Sequence, residues 1–209
     1  MSTLFEHTLN NILVIPQALY GMQDVKVLSC HGESGIFYKA LDQDLVDIEF
    51  YSKTPCLVYI ESGSETLTNS NNRSITLQPG SMVFLPQGET LHSDYVSQTR
   101  ALKAYLIFFE ERVITSYLTN CRTKQSSIPP SSDFYVIKDK LGMVENVLKN
   151  IEYHIKHPNY LDLKLQELLH LMAHISGEHA LHDFLLRKNT SSSKRNLQRL
   201  LEKRDVIRL

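Results

Sequence analysis

The stretch GSMVFLPQGETLH, residues 80–92, is the most informative about the fold of the first half of the chain. An apolar run of strand length, which contains Met82 and Phe84, lies between one glycine and the pair Pro86 and Gly88. Proline lacks a backbone N–H and glycine adopts turn conformations that other residues avoid, so both residues interrupt strands. The stretch therefore predicts a strand, a tight turn and the start of a second strand.

The same combination of short apolar runs and turn residues recurs up to about residue 109. Polar segments such as HGESG, TNSNNRS and PQG separate the runs, and SETLTNSNNRSITL (64–77) has the form of a hairpin. Short runs rich in Val, Ile, Tyr and Phe are typical of an antiparallel sandwich or barrel. The predicted strands are VKVLSC (25–30), GIFYKA (35–40), CLVYIESG (56–63), SITLQ (74–78), SMVFLP (81–86) and ALKAYLIFF (101–109).

After residue 120 the periodicity becomes helical. Apolar residues from Leu141 to Ile155 predict a helix that ends near His157, because Pro158 disfavours helical backbone at the residue before it.

Strands followed by helices indicate an α+β protein. We expect a cupin-like β-barrel over 1–119, a linker over 120–136, which includes NCRTKQSSIPPSSD, and a helical dimerisation and connector region over 137–209. Its later helices are predicted over 161–176, over 178–188 and from serines 191–193 onward.

Composition and charge exclude several classes of protein. The 209 residues carry a net charge of −1, and three cysteines without a CxxC pair suggest neither a disulfide framework nor a zinc cluster. No apolar run approaches the roughly 18 residues that a membrane helix requires, and the N-terminus lacks the features of a signal peptide. We therefore expect a cytoplasmic protein that does not contact a membrane.

The opening stretch resembles the second motif of the cupin superfamily, G-x5-P-x-G-x2-H. Gly80, Pro86 and Gly88 match it, whereas Leu91 stands where the motif has histidine and His92 follows one residue late. A divalent metal needs about three or four protein ligands. The upstream strand pair, FYSKTPCLVYIESGSETL (50–67), contains no histidine. We expect a barrel without a metal or other cofactor.

Three residues are candidates for contact with a ligand in the barrel. His92 follows the turn that resembles cupins, and Tyr38 and Tyr59 lie in predicted strands, where their rings could line the interior. The alternatives are a histidine that satisfies a hydrogen bond at a strand end and tyrosines that face the solvent. The sequence leaves both interpretations open.

The predicted helix over 161–176 has a second face beside its apolar stripe. Leu163 and Leu171 lie off that stripe and flank Glu167, His170 and His174. Histidines one turn apart can bind zinc, but no further ligand set is visible. A mixed apolar and polar face commonly contacts another protein surface. We expect these five residues to form a homodimer contact.

Three segments together resemble the N-terminal portion of the AraC/XylS family of transcription regulators. They are LQPGSMVFLPQGETLHSDY (77–95), LKLQELLHLMAHISGEHALHDFLL (163–186) and SSSKRNLQRLLEKR (191–204), and the likeness is greatest to the subgroup that activates type III secretion and other virulence genes. The resemblance implies a barrel that receives the signal, either a small-molecule effector or a regulatory protein. It also implies that DNA is read by a C-terminal helix-turn-helix domain that this chain lacks. Residues 188–209 carry seven Lys/Arg against two acidic residues, as expected before a basic domain.

Two other function classes compete with the regulator. One is a metal-free cupin enzyme of the sugar epimerase or isomerase type, in which His92 and a tyrosine act as base and acid and Asp94 shares the face of His92. The other is an interaction scaffold with a filled barrel. Nothing in the sequence assigns catalytic residues, so we expect no enzymatic activity. A polar-lined cavity favours small-molecule sensing, and a packed interior favours a protein signal.

Overall fold

Two β-sheets and a layer of helices make up the part of the chain that the computed structural model describes, which is residues 3–8, 12–88, 90–96, 100–121, 134–151, 155 and 157–186. The strands are β1 Leu13–Ile15, β2 Val25–His31, β3 Ser34–Leu41, β4 Leu45–Ser52, β5 Cys56–Ser62, β6 Glu65–Asn69, β7 Ser74–Leu77, β8 Ser81–Leu85, β9 Thr90–Tyr95, β10 Leu102–Phe108 and β11 Tyr135–Lys138. The α-helices are α1 Leu4–Thr8, α2 Glu111–Asn120, α3 Met143–Lys149 and α4 Pro158–Ser176, and residues 178–186 are helical as well.

The strands form two sheets that face each other. Sheet A has the order β1-β4-β9-β6-β7, and sheet B has the order β11-β8-β5-β10-β3-β2. Neighbouring strands are antiparallel except for β1, which runs parallel to β4. The predicted α+β class with a cupin-like barrel is confirmed, and each of the six predicted strands is present within about two residues of its predicted bounds.

Sheet B separates two hydrophobic cores. The inner core lies between the sheets and contains Phe37 and Val58, whereas the outer core lies between sheet B and the helices and contains Tyr59. Alternation along each strand sends successive side chains to opposite faces. Because both faces of sheet B are covered, the first five residues of β5 are all buried, as in sheets packed on both sides.

Gly63 makes one of the tight crossings of the barrel possible. Its φ is +74°, which favours glycine, and a Cβ at this position would lie 2.9 Å from the Cα of Leu102. The backbone after β5 therefore passes directly against the start of β10.

The sequence did not predict three of the strands or helix α2. β4 carries a register shift between Leu45 and Ile48, with Asp47 at a φ of 56°, and this irregularity breaks the alternation that marks a strand. β1 has only three residues, and β11 lies at the end of the predicted linker and pairs with β8. Helix α2 lies directly before that linker. Its buried residues, Val113, Ile114 and Tyr117, are at helical spacing.

The helix predicted from Leu141 to Ile155 is shorter than expected. Helix α3 begins at Met143 because Gly142 has a φ of 65° and the Asp139 carboxylate accepts the first N–H groups of the helix, including that of Met143 at 2.9 Å. Leu141 lies before the helix and is 82% exposed. The described helix ends at Lys149, so Leu141 and Ile155 do not belong to it.

The prediction over 161–176 is confirmed, although helix α4 begins earlier, at Pro158. Proline has no N–H to donate and is tolerated in the first helical turn. The helix ends before Gly177, as predicted. The end of the helix predicted over 178–188, the helix after serines 191–193, the basic residues 188–209 and most of the predicted linker lie outside the described residues.

Candidate functional site

A cavity of about 50 Å³ lies in the barrel interior, between sheets A and B. Most of its lining is aliphatic, and it includes Leu67 and Leu106 from facing strands. Leu4, Leu13, Ile15 and Leu19 of the N-terminal segment close part of the wall. The cavity is therefore an apolar space within the inner core.

Three polar side chains line one part of this cavity. They are Lys39 on β3, Glu65 on β6 and Ser93 on β9. Lys39 Nζ lies 2.6 Å from Glu65 Oε1, and the Ser93 hydroxyl donates to the same oxygen at 2.6 Å. The side chains of Lys39 and Glu65 are only 10% and 4% exposed, so a bond between the two sheets joins opposite charges inside the barrel.

The second carboxylate oxygen of Glu65 has no hydrogen-bond partner among the described residues. A buried carboxylate oxygen without a donor is unfavourable, since it loses its hydration without a replacement. Lys39 carries three N–H donors, and the contact with Glu65 uses one of them. The polar cluster of Lys39, Glu65 and Ser93 can therefore both accept a hydrogen bond from, and donate one to, a group in the cavity.

Strand alternation explains why these residues face inward. Lys39 stands two residues from Phe37 and Leu41, and Glu65 stands two residues from Leu67; all three apolar residues belong to the inner core. Neither Lys39 nor Glu65 was predicted from the sequence as a residue of the site. The available signal was a charged side chain on the apolar face of a predicted strand.

The three ligand-binding candidates lie on the other faces of their strands. Tyr38 and Tyr59 point from sheet B toward the outer core, and His92 points away from the barrel on sheet A. None of the three lines the cavity. At the position where the cupin motif has histidine, Leu91 is fully buried in the inner core.

Tyr38 and Tyr59 come together in a cluster with a third tyrosine. The ring centroids of both lie near that of Tyr105, at 4.9 Å and 6.4 Å respectively, and the Tyr38 hydroxyl donates to Glu61 at 2.6 Å. Burial, with added repulsion from Glu61 and Glu145, raises the pKa of Tyr105 to about 12. These tyrosines stay protonated at neutral pH and support the packing between sheet B and the helices.

His92 belongs to a surface group on sheet A. Its Nδ1 lies 3.0 Å from Asp47 Oδ1, and the backbone N–H of Asp47 donates to Asp94 at 2.6 Å. His92 and Asp94 therefore share a face, as strict alternation predicts, but that face is the outer one. Across the described parts of the chain, no three His, Cys, Asp or Glu side chains come together in a way that could hold a metal ion.

The five residues predicted to form a dimer contact lie on helix α4. Leu163, Glu167, His170 and His174 are exposed, and Leu163 is the most apolar of them, with 69% of its surface accessible. Leu171 differs because it is partly buried and packs against the outer core. The exposed face of α4, defined here as Leu163, Glu167, His170 and His174, is thus available to a partner.

No helix within the described ranges combines the length and the apolar character needed to cross a membrane.

Comparisons with known proteins agree with this architecture. The model of a family described as the ExsA N-terminal regulatory domain matches residues 55–184, from the start of β5 into the helical segment 178–186. A comparison with curated protein sequences finds no match.

Two crystal structures of ToxT from Vibrio cholerae resemble the chain. An apo variant has a TM-score of 0.55 and 11% identity, and the match covers 70% of this chain and 58% of that chain. The wild-type protein bound to an unsaturated fatty acid has a TM-score of 0.50 and 11% identity, over 69% of this chain and 56% of that chain. The chain thus spans less than two thirds of the length of these proteins, and the likeness concerns the fold.

Proposed function

The chain belongs to the ExsA N-terminal regulatory domain family, and on this premise we propose that it senses a signal and dimerises within an AraC-type transcription regulator. The observation that carries the proposal is the span of the family match, which includes the barrel strands β5 to β10 and helix α4. One regulatory unit therefore contains a candidate effector cavity and a candidate dimer surface.

We assign DNA recognition to a separate helix-turn-helix domain, as the resemblance to the AraC/XylS family implies. The present chain would then contribute the signal and the dimer geometry. Such a regulator acts in the cytoplasm, where DNA and a diffusible effector or regulatory protein meet. The division into a barrel over 1–119, a linker over 120–136 and a helical region over 137–209 remains part of this proposal.

We assign the effector to the cavity in the barrel. The support is chemical: Glu65 presents a buried carboxylate oxygen that accepts no hydrogen bond from the described residues, beside a wall that is mostly apolar. Such a combination of apolar lining and a few polar groups is typical of small-molecule sites. One ToxT structure contains a bound unsaturated fatty acid, and we carry over to the present protein only the apolar character of the hydrocarbon part of such a ligand.

A regulatory protein is the second candidate for the signal. The cavity of about 50 Å³ favours it, because a cavity that binds benzene in another protein measures about 150 Å³. A protein partner would contact the outer surface and would not require space inside the barrel. A substitution in the cavity lining should alter the response of the regulator to a small-molecule effector, but not its response to a regulatory protein.

Sheet B provides the physical route from the cavity to the helices. Val58 and Leu106 face the inner core, and their neighbours Tyr59 and Tyr105 face the outer core. A ligand that displaces the first pair changes the position of the second pair through the same strands. An effector shifts the regulator only if it binds one arrangement of barrel and helices more tightly than the other.

The enzyme alternative has little support from the arrangement of the residues. His92 and Asp94 lie on the outer face of sheet A, while Tyr38 and Tyr59, the tyrosines available as partners of His92, lie on the helix-facing side of sheet B. An acid and a base for one substrate must lie within hydrogen-bond reach of it. We therefore infer that the chain regulates transcription and does not catalyse a reaction.

Native mass spectrometry of the purified 209-residue chain tests the proposal. We expect a dimer at micromolar concentration, because regulators of this kind bring two DNA-binding domains together, and a co-purified small molecule if the cavity is occupied in cells. A monomer at these concentrations contradicts the assigned dimerisation. A response to a purified regulatory protein that is unchanged when the cavity is altered supports the second candidate.

A further inference from the structure

The charge state of the polar cluster decides which head group the cavity can accept. Lys39 and Glu65 are both almost completely buried and lie 2.6 Å apart, so the cluster is electrically balanced. Transfer of an unbalanced charge into such an environment is costly. A ligand carboxylate would add a negative charge beside Glu65, and a ligand ammonium would add a positive charge beside Lys39.

A hydroxyl group fits the unused hydrogen-bonding capacity of the cluster. Its proton can be donated to Glu65 Oε2, which has no partner within the described chain, and its oxygen can accept one of the free N–H groups of Lys39. The Ser93 hydroxyl already donates its proton to Glu65 Oε1 and does not compete for Oε2. One neutral hydroxyl group thus supplies a hydrogen-bond partner to both Glu65 and Lys39 without adding charge.

The remaining wall of the cavity requires an apolar ligand body. Leu67, Val58 and Leu106 contact the space from the two sheets, and Leu4 and Leu13 contact it from the N-terminal segment. The volume of about 50 Å³ holds a hydroxyl group and about one or two carbon atoms. A longer chain, including that of a four-carbon alcohol, has to displace leucines of the N-terminal segment.

We propose that the barrel cavity is a binding site for a neutral aliphatic alcohol, with its hydroxyl between Glu65 and Lys39 and its carbon chain against the leucine-lined wall. This proposal rests on the assignment of the barrel as the effector site and adds the chemistry of the ligand. Because Glu65 already neutralises Lys39, this lysine offers no unbalanced positive charge to a ligand carboxylate.

Three four-carbon probes with different head groups test the proposal: 1-butanol, butanoate and butylamine. Each is titrated into the full 209-residue chain, and the methyl resonances of Leu67 and Val58 are followed by NMR. We expect saturable shifts with 1-butanol and at least about tenfold weaker binding of the two charged probes, which corresponds to one lost hydrogen bond or more. Equal or stronger binding of butanoate to the wild-type chain overturns the proposal but leaves the barrel as an effector site.

Two variants separate head-group recognition from general packing. Glu65→Gln removes the negative charge but keeps the shape, so Lys39 becomes an uncompensated cation and the preference should reverse toward butanoate. The double variant Lys39→Met/Glu65→Leu keeps an apolar, neutral interior and should lose the preference for 1-butanol over an alkane of equal length. Lys103→Met, an exposed change on β10, is the matched control and should bind 1-butanol as the wild type does.

The remaining outcomes also decide the proposal. If no probe shifts the methyl resonances of the wild-type chain, the cavity does not bind alcohols and the proposal is wrong; the assignment of dimerisation is then judged by mass spectrometry alone. If Glu65→Gln does not fold, the double variant still supplies the decisive comparison, since a retained preference for the alcohol would exclude a role for the charged pair.

Discussion

Arg112 on helix α2 binds both carboxylate oxygens of Asp162 on helix α4, with Nη2 at 3.0 Å from Oδ1 and Nη1 hydrogen-bonded to Oδ2. Its Nε donates to Glu110 at 2.5 Å, and Glu110 also accepts the backbone N–H of Glu33 at 2.6 Å. A continuous polar chain therefore joins the turn between β2 and β3 to the first turns of α4. This network connects the barrel to the candidate dimer helix, as does the hydrogen bond of 2.7 Å that the Tyr135 hydroxyl on β11 donates to Ser176 on α4.

We expect a measurable coupling between Arg112 and Asp162. Their side chains are 49% and 28% exposed, so solvent screens the interaction and its value should be about 0.5–1 kcal/mol. A double-mutant cycle of Arg112→Ala and Asp162→Ala, measured by urea unfolding, reports it. Additive single effects would show that the contact does not stabilise the protein.

The same network makes stability depend on acid pH. Burial acts to raise the pKa of Glu110, but hydrogen bonds from Glu33 and Arg112 outweigh it and hold the pKa below its usual value. A lowered pKa in the folded state contributes stability above the ordinary pKa of about 4.5, and that stability is lost as the pH falls through the folded value. A carboxylate titration by NMR should find the pKa of Glu110 raised in Arg112→Ala. An unchanged pKa would contradict the assigned cause.

Replacement of one residue of the buried pair Lys39–Glu65 should lower the free energy of unfolding more than replacement of both. Lys39→Met or Glu65→Leu leaves a single buried charge, and we expect a loss of about 3–5 kcal/mol in the free energy of unfolding. The double variant Lys39→Met/Glu65→Leu should lie within about 1–2 kcal/mol of the wild type, because apolar side chains of similar volume replace both ions. Denaturant unfolding of the three variants tests this order, and a double variant less stable than either single variant would contradict it.

Gly63→Ala should destabilise the protein more than Gly21→Ala. Both glycines have positive φ, +74° and +80°, and each alanine should cost about 1–2 kcal/mol for its left-handed conformation. At Gly63 the new Cβ would also lie 2.9 Å from the Leu102 Cα, whereas nothing lies within 4 Å at Gly21. The free energy of unfolding, measured by thermal or urea unfolding, should therefore fall by at least about 1 kcal/mol more in Gly63→Ala than in Gly21→Ala, given the usual cost of overpacking. Equal losses would mean that the backbone at β10 can move aside.

Leu163→Asp should weaken the proposed dimer, while Leu141→Asp should not. Both leucines are exposed, at 69% and 82%, but only Leu163 belongs to the exposed face of α4. Sedimentation velocity should show at least a tenfold rise in the dimer dissociation constant for Leu163→Asp alone, which corresponds to about 1.4 kcal/mol. Leu171→Asp is a poor test because Leu171 packs partly against the outer core and its loss would disturb the monomer. Identical behaviour of the Leu163 and Leu141 variants would place the dimer contact elsewhere.

The strand predictions succeeded where the local signal was strong. The turn that contains Pro86 and Gly88 ends β8 as expected, and alternation from Leu91 onward continues as β9. β4 was missed because Asp47 interrupts its alternation, and α3 was predicted too long because the cap formed by Asp139 could not be inferred from periodicity. These failures occur where a single side chain or bulge overrides the periodic pattern.

The sequence left open whether Tyr38 and Tyr59 line the barrel interior. In the structure their neighbours Lys39 and Val58 line the cavity, and a role of His92, Tyr38 and Tyr59 in ligand binding stays a prediction. In most sheets the apolar face identifies the interior. Here both faces of sheet B are apolar, so alternation alone could not say which face belongs to the barrel.

By itself, the sequence determined that short strands separated by glycine and proline turns precede amphipathic helices, because both signals are local and depend on neighbours a few residues apart. Only the tertiary structure decided which side of sheet B meets the helices and that Lys39 reaches Glu65. These two residues are 26 positions apart and lie on opposite sheets, and their contact exists only once the sheets face each other.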